Sequence, residues 1–267
     1  MSQKAKYLQV AKITWKSMIA YQTDTWLGAG VSGFRVLLAF LLWQAIFAGR
    51  SEVAGFTLPM MVTYYLVSGL LGRLQHQDGL AWQLATEVRE GQFSKYLVRP
   101  MPVVGFFLGA GAGRWIFLLL VNLGSLLAWA VVFSRWLVPP ANPLSLLWLL
   151  ALVPLGALVM LLLNHDIALL SLRYQDITGF MILKGSILEF LSGVMIPLSL
   201  LPPGLVSALQ LTPFYYVVYY PTSLFLGTQT APPWEAILVL CAWCLVLFAA
   251  GQVWFLRARK YYEGVGI

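Results

Sequence analysis

Residues 103–133 read VVGFFLGAGAGRWIFLLLVNLGSLLAWAVVF, an apolar run in which Arg114 is the one charged residue. A helix rises 1.5 Å per residue, so ~20 such residues cross the ~30 Å of hydrocarbon in a bilayer. Five further stretches satisfy the same criterion, at about 26–48, 56–73, 144–170, 178–200 and 234–256. The composition agrees: 60% of the 267 residues are hydrophobic, 10% are charged, and the mean hydropathy is +0.79. A soluble domain carries roughly 25% charged residues, so this chain lacks the polar surface to face water on all sides. Two cysteines in a chain this apolar rule out a disulfide scaffold and a disordered polymer alike. The expected fold is an all-α polytopic membrane bundle of six transmembrane helices.

In a soluble protein, the net charge of +7 would prompt a search for a nucleic-acid surface. Here the cations sort by loop instead. Lys4, Lys6, Lys12 and Lys16 precede span one; Arg89, Lys95 and Arg99 lie between spans two and three; Arg173 follows span four; Arg257, Arg259 and Lys260 follow span six. Only Arg50 and Arg135 fall in the opposite loops, so the positive-inside rule places both termini in the cytoplasm. The basic start lacks a short apolar h-region with a small-residue cleavage site, and reads as mature protein. Val10, Ile13, Trp15, Met18 and Ile19, interleaved with Lys12 and Lys16, predict an amphipathic helix in the cytoplasmic interface.

The longest polar insertion runs from Gln75-His76-Gln77-Asp78 to Pro102. Leu80, Leu84 and Val88 recur every four residues, which predicts a helix over Gly79 to Glu90 with Gly91 ending it as the residue after the cap. A second short element over Phe93 to Val98 stops at Arg99-Pro100-Met101-Pro102, where two prolines re-aim the chain. Ordinary connections are ~4–6 residues long and seldom carry helical periodicity, so this helical pair is expected to receive a partner.

The pattern Glu87-Val88-Arg89-Glu90-Gly91 followed by Leu97-Val98-Arg99-Pro100, the six spans, and an apolar stretch before the last span resemble the permease subunits of ABC-2 type exporters, over essentially the whole chain. The resemblance implies a permease that pairs with a second permease, identical or homologous. Two separate cytoplasmic ABC ATPases would bind ATP and Mg and drive export through the dimer, and the setting would be the inner (cytoplasmic) membrane. It further implies ATPase contacts within Tyr7 to Tyr21 and around Glu87, Arg89, Glu90, Gly91 and Arg99, with Arg173 and Asp176 in a shorter second coupling loop. One permease domain over 1–267 then divides into an interfacial helix (1–25), spans one and two (26–73), a coupling loop (74–102), spans three to five (103–200), an external re-entrant segment (201–233), span six (234–256) and a cytoplasmic tail (257–267).

Catalysis by this chain itself is not expected. No G-x-x-x-x-G-K-[ST] string occurs, and Lys184-Gly185-Ser186 has its residues in the wrong order inside a span. The Gly109 to Gly113 run has no strand before it, so it does not read as a dinucleotide fingerprint. Gly105, Gly109 and Gly113 instead repeat every four residues and allow another helix to approach closely. Asn164-His165-Asp166 are consecutive and diverge around a helix rather than converging on a metal, and they read as interhelical hydrogen-bonding groups. Cys241 and Cys244 sit inside an apolar span and read as small packing residues. No cofactor or metal is expected on this chain.

Charges within spans carry more information, because each costs ~2.5–3.5 kcal/mol near the bilayer centre. Arg35, Arg114, Lys184 and Glu189 are in this position. Snorkelling or an interhelical hydrogen bond accounts for Arg35 and Arg114. Lys184 and Glu189 are five positions apart, roughly 140° around the helix, so each needs a partner elsewhere. Both structural glue and a lining of the pathway fit them. Finally, residues 191–221 contain Pro197, Pro202, Pro203, Pro213 and Pro221, and no Asp, Glu, Lys or Arg. Their prolines break helices and their tyrosines favour headgroups, so the segment is expected to enter and leave on the external side without crossing. In the resembled family such re-entrant helices form an external gate, which would here involve Pro197, Pro202, Pro203, Tyr215 and Tyr216.

The expected function is thus the permease subunit of an ATP-driven ABC-2 type exporter. An ion-coupled secondary transporter would show carboxylate clusters and repeated halves within the membrane, and a membrane-embedded enzyme a convergent catalytic motif. The apolar, aromatic-rich walls suit lipids, amphipathic drugs and peptides equally.

Overall fold

Where lipid replaces water, backbone groups must bond within their own segment, and helices are the open-chain solution. The residues that the structure describes are accordingly 80% helical. The computed structural model describes residues 3–20, 23–75, 78–99, 101–174 and 176–258. Of the residues used above, Tyr21, His76, Gln77, Pro100, Arg259 and Lys260 lie outside these ranges. Among the described residues there is no strand, only one isolated bridge between Val53 and Phe56.

The helices are α1 (Gln3–Ala20), α2 (Thr23–Ile46), α3 (Leu58–Gln75), α4 (Gly79–Arg89), α5 (Ser94–Leu97), α6 (Val103–Val132), α7 (Pro143–Leu169), α8 (Thr178–Leu191), α9 (Pro203–Leu209), α10 (Tyr220–Leu226) and α11 (Pro233–Ala258). Four of them are long and apolar enough to cross a membrane: α2 from Trp26, α6, α7 extended to Leu172, and α11. The start of α7 shows local sequence at work, since the Asn142 side chain accepts a hydrogen bond from the Leu144 N–H at 2.9 Å and Pro143 occupies the first turn.

The stretches read as spans two and five differ from these four. With 18 residues, α3 carries Thr63, Ser68, Arg73 and Gln75 and is more polar. It packs against α2, α6, α7 and α10, with Met61 and Tyr64 fully buried, so its polar groups meet protein rather than lipid. Helix α8 ends at Leu191 instead of continuing to about 200, and its 14 residues span only ~21 Å. The chain then turns at Gly193, whose φ of +80° suits glycine, and the Tyr64 and Tyr65 hydroxyls donate to the freed carbonyls of Gly193 and Met195 at 2.5 and 2.9 Å.

Beyond this break, α9 begins with Pro203 in its first turn. A second helix follows from Pro213, wound as a π-turn over Tyr215–Tyr219 and continuing into α10. The tyrosines correct the expectation that placed them among headgroups. Tyr215, Tyr219 and Tyr220 are buried in the main core, with Tyr215 5.0 Å from Tyr216 and 5.1 Å from Tyr219 between ring centres. Burying large rings becomes favourable once their hydroxyls find acceptors, as Tyr220 does on the Ala231 carbonyl at 2.8 Å.

Candidate coupling face and intramembrane ion pairs

The α4–α5 hairpin is a folded element with its own anchor. Leu80, Ala81, Leu84 and Ala85 of α4 bury against Phe93, Tyr96, Phe107 of α6 and Leu169 of α7. At its end the Gly91 N–H donates to the Val88 carbonyl (3.1 Å) and the Gln92 N–H to Glu87 (2.8 Å), while Gly91 takes φ +74°. These two bonds satisfy carbonyls that would otherwise be orphaned, and the left-handed residue lets the chain reverse into α5. Glu87 then pins the two arms together. It accepts from Gln83 Nε2 at 2.9 Å and from the Tyr96 hydroxyl, and pairs with Lys95 at 2.7 Å.

Burial alone would raise the Glu87 pKa. Hydrogen bonds from Lys95, Tyr96 and Gln83, with the Lys95 charge, outweigh it and hold the carboxyl below its ordinary 4.5. A depressed pKa means that the ionised form stabilises the hairpin above the ordinary value, and that this contribution is lost as pH falls through the lower, folded value. Protection from hydrogen exchange over residues 79–98, taken relative to the intrinsic rate at each pH, is therefore expected to hold down to about pH 4.5 and to fall below it. Glu87→Gln should remove most of that pH dependence; an unchanged profile in the variant would assign the transition to another group.

The hairpin turns a mixed surface outward. Arg89 and Glu90 are exposed, and so are Leu97 and Val98, at 51% and 82%. Arg99 is half-buried, with its guanidinium over the rings of Tyr96 (4.8 Å) and Phe106 (4.5 Å). The second short loop lies beside this surface. Exposed Asp176 accepts from the Thr178 N–H at 2.8 Å, and its pKa is lowered first by Thr178 and further by the Arg89 charge. Arg173, also exposed, stacks on Tyr174 at 5.7 Å. A cleft of about 410 Å³ opens between α1, α4 and the start of α6, lined by Val10, Ile13, Leu80, Gln83, Arg99 and Phe106. The segments singled out separately in the sequence are thus linked in pairs, α1 to the hairpin across the cleft and Asp176 to Arg89 by charge. Glu87 takes no part, because its carboxylate is engaged inside the hairpin.

Gly105, Gly109 and Gly113 form the seat of α1. A methyl group on Gly105 would stand 2.7 Å from the Tyr7 ring, on Gly109 3.2 Å from the Tyr7 carbonyl oxygen, and on Gly113 2.1 Å from the Ala11 carbonyl oxygen. The matched order of contacts means that α1 runs alongside α6 in the same direction, continuing to Trp15, which meets Phe117 edge-on at 5.8 Å. The helix that the sequence placed in the interface therefore has a protein partner, while Lys4, Leu8, Lys12, Ile13 and Lys16 stay exposed.

Of the charges that the sequence reading places within spans, Lys184, Glu189 and Arg35 are paired across helices. Lys184 is buried, with its ammonium donating to Asp78 at the start of α4 and to Asn164 Oδ1 of α7 at 2.7 Å. Asp78 does not cap α4 with its side chain, and it also faces the charge of Arg114. The Arg114 guanidinium packs where Gly79 leaves room. Glu189 pairs with Arg35 of α2 at 2.9 Å. Two residues passed over in the sequence complete the set. Arg73 of α3 donates to Asn122 Oδ1 of α6 at 2.6 Å and to the Gly28 carbonyl of α2. A lone Arg and a lone Asn in apolar helices were the available signals. His165 Nδ1 lies 3.1 Å from its neighbour Asp166, and Cys241 and Cys244 are free thiols on α11. Of the expected gate residues, Pro197 is buried beside the α8 break, Pro202 and Pro203 are exposed at the start of α9, and Tyr215 and Tyr216 lie in the π-turn.

Long apolar helices with a folded polar hairpin packed against them define a multi-pass helical membrane protein. The family model described as ABC-2 family transporter protein matches residues 34–266, and the chain belongs to that family as an ABC-2 type permease. The match leaves α1 outside its limits. No curated protein matches the chain.

Proposed function

We propose that this chain is the transmembrane subunit of an ATP-driven exporter in the inner (cytoplasmic) membrane. It would pair with a second permease and take its power from two separate ATPases, which bind ATP and Mg. In this reading α3 and α8 complete six crossings, both termini face the cytoplasm, and the hairpin of α4 and α5 receives the ATPase. The observation that carries it is the exposed surface of Arg89, Glu90, Leu97 and Val98 on a hairpin braced from within by Glu87 and Gly91. Exposed apolar side chains rimmed by charges are the composition of a partner surface, and the family supplies the partner class. Because Asp176 and the α1 cleft lie beside this surface, a docked ATPase would touch three parts of the permease at once.

Charge reversal at Arg89→Glu places a carboxylate beside Glu90 and Asp176 and should lower ATPase recovery with the purified permease at least tenfold, with normal amounts of permease in the membrane. Undiminished recovery in Arg89→Glu combined with Val98→Asp would remove the hairpin as the docking site.

A further inference from the structure

The break at the end of α8 creates a site within the membrane. Unwound backbone at this depth is tolerated where it is enclosed by protein or lines a cavity. Here it does the latter: a cavity of about 370 Å³ is walled by Arg35 and Leu38 of α2, Tyr65 and Gly69 of α3, and Glu189 and Met195 around the break. The Arg35–Glu189 pair stands in its wall, with Arg73 beside it. Arg35 is the thirteenth of the 24 residues of α2, and so sits halfway across. Yet the two side chains remain 65% and 38% exposed.

Arg35 uses one N–H on Glu189 and makes no other hydrogen bond among the described residues, which leaves further donors facing the cavity. One carboxylate oxygen of Glu189 is open in the same way. Arg73 lines the same cavity, but its Nε and one terminal nitrogen are turned to Asn122 and Gly28. A half-satisfied ion pair at mid-depth is costly, and a ligand that completes both halves relieves that cost. An anion would complete only the Arg35 half of the pair and a cation only the Glu189 half, whereas a head group carrying both completes the two together. The walls around the pair, Val36, Leu38, Val194 and Met195, are apolar.

We propose that this cavity binds an amphiphile with a zwitterionic head group, whose anionic part meets Arg35 and whose cationic part meets Glu189. The transport of such a molecule rests on the exporter reading above; its binding does not.

The test uses the full chain, purified without ATPase into nanodiscs containing equal parts of phosphatidylcholine and phosphatidylglycerol, with tightly retained lipid counted by native mass spectrometry. Wild type is expected to retain phosphatidylcholine in preference, and dodecylphosphocholine, which carries the same head on one chain, to displace it. Arg35→Gln and Glu189→Gln should each reduce retention about tenfold, and the exchange Arg35→Glu with Glu189→Arg should restore most of it. Gly69→Leu provides a variant that touches neither charge, because a side chain at Gly69 enters open space, and it should block retention in a chain of unchanged melting temperature. Preference for phosphatidylglycerol abolished by Arg35→Gln alone would make this an anion site, and effects confined to Glu189→Gln a cation site; either overturns the proposal. So would failure of dodecylphosphocholine to compete, or full retention in Gly69→Leu. Loss of ATPase recovery in Arg89→Glu reports separately on the exporter reading.

Discussion

Gly113→Leu is expected to strip α1 from the bundle. A β-carbon at this position would stand 2.1 Å from the Ala11 carbonyl oxygen and 2.8 Å from its carbon, both backbone atoms of a helix that cannot rotate out of the way. Extra volume forced into a packed contact costs about 1–3 kcal/mol where side chains can adjust. Here they cannot, so the upper end applies to alanine and leucine should separate the helices. Gly105 and Gly109 should be more forgiving in single Ala variants, since at Gly105 the obstacle is the mobile end of a Tyr7 ring and at Gly109 the nearest atom is 3.2 Å away. Gly124→Leu is the internal control on the same helix, with nothing within 4 Å. Protection from hydrogen exchange over residues 3–20 and the melting temperature in detergent should both collapse in Gly113→Leu and stay near wild type in Gly124→Leu. Slow exchange of α1 in Gly113→Leu would mean that α1 is held by something other than the glycine face.

The second large effect belongs to Asp78. Removing its carboxylate leaves the buried ammonium of Lys184 with Asn164 as its remaining partner, and leaves the Arg114 guanidinium facing the same place. Breaking a buried pair in this way typically costs 3–5 kcal/mol, here discounted to about 2–3 because Asp78 is itself 28% exposed. Lys184→Met, which removes the buried charge and keeps its volume, should cost less than Asp78→Ala. The double variant should recover part of the Asp78→Ala loss, giving a coupling energy above about 1 kcal/mol in a double-mutant cycle. The pair also has mechanical meaning under the proposed function, because Asp78 begins the hairpin that faces the ATPase and Lys184 rides on α8. Asp78→Ala should therefore uncouple ATP hydrolysis from export while the ATPase stays bound. Additive stabilities, or export in proportion to hydrolysis, would reduce the pair to a local brace.

The α4–α5 hairpin was legible because everything that makes it is local. Leu80, Leu84 and Val88 set its face, Gly91 ends it and the prolines stop α5, all within about two turns of the residues they affect. The same locality explains the errors. Apolarity alone carried span five to about 200, although the glycine at 193 and the Tyr64 and Tyr65 hydroxyls that hold the unwound carbonyls end the helix near 191. The tyrosines of the π-turn read as headgroup residues because nothing near them in sequence announces the core that covers them. Glu87 was read as a surface contact, since its partners Tyr96 and Lys95 come into reach only when the chain reverses at Gly91.

By itself, then, the sequence determined that lipid is the main solvent, that the chain is a bundle of helices, that a charged hairpin follows the second predicted span, and that three glycines await another helix. These follow from composition and from periods of 3.6 residues, which act over one or two turns. Only the tertiary structure decided which helix those glycines accept, that Lys184 belongs to Asp78 and Asn164, and that Glu189 meets Arg35 beside a cavity. The paired charges lie 106 and 154 positions apart. Pairing at such separation is set by how helices pack, because a charge stranded in lipid must find its counter-ion on whichever helix comes to stand beside it.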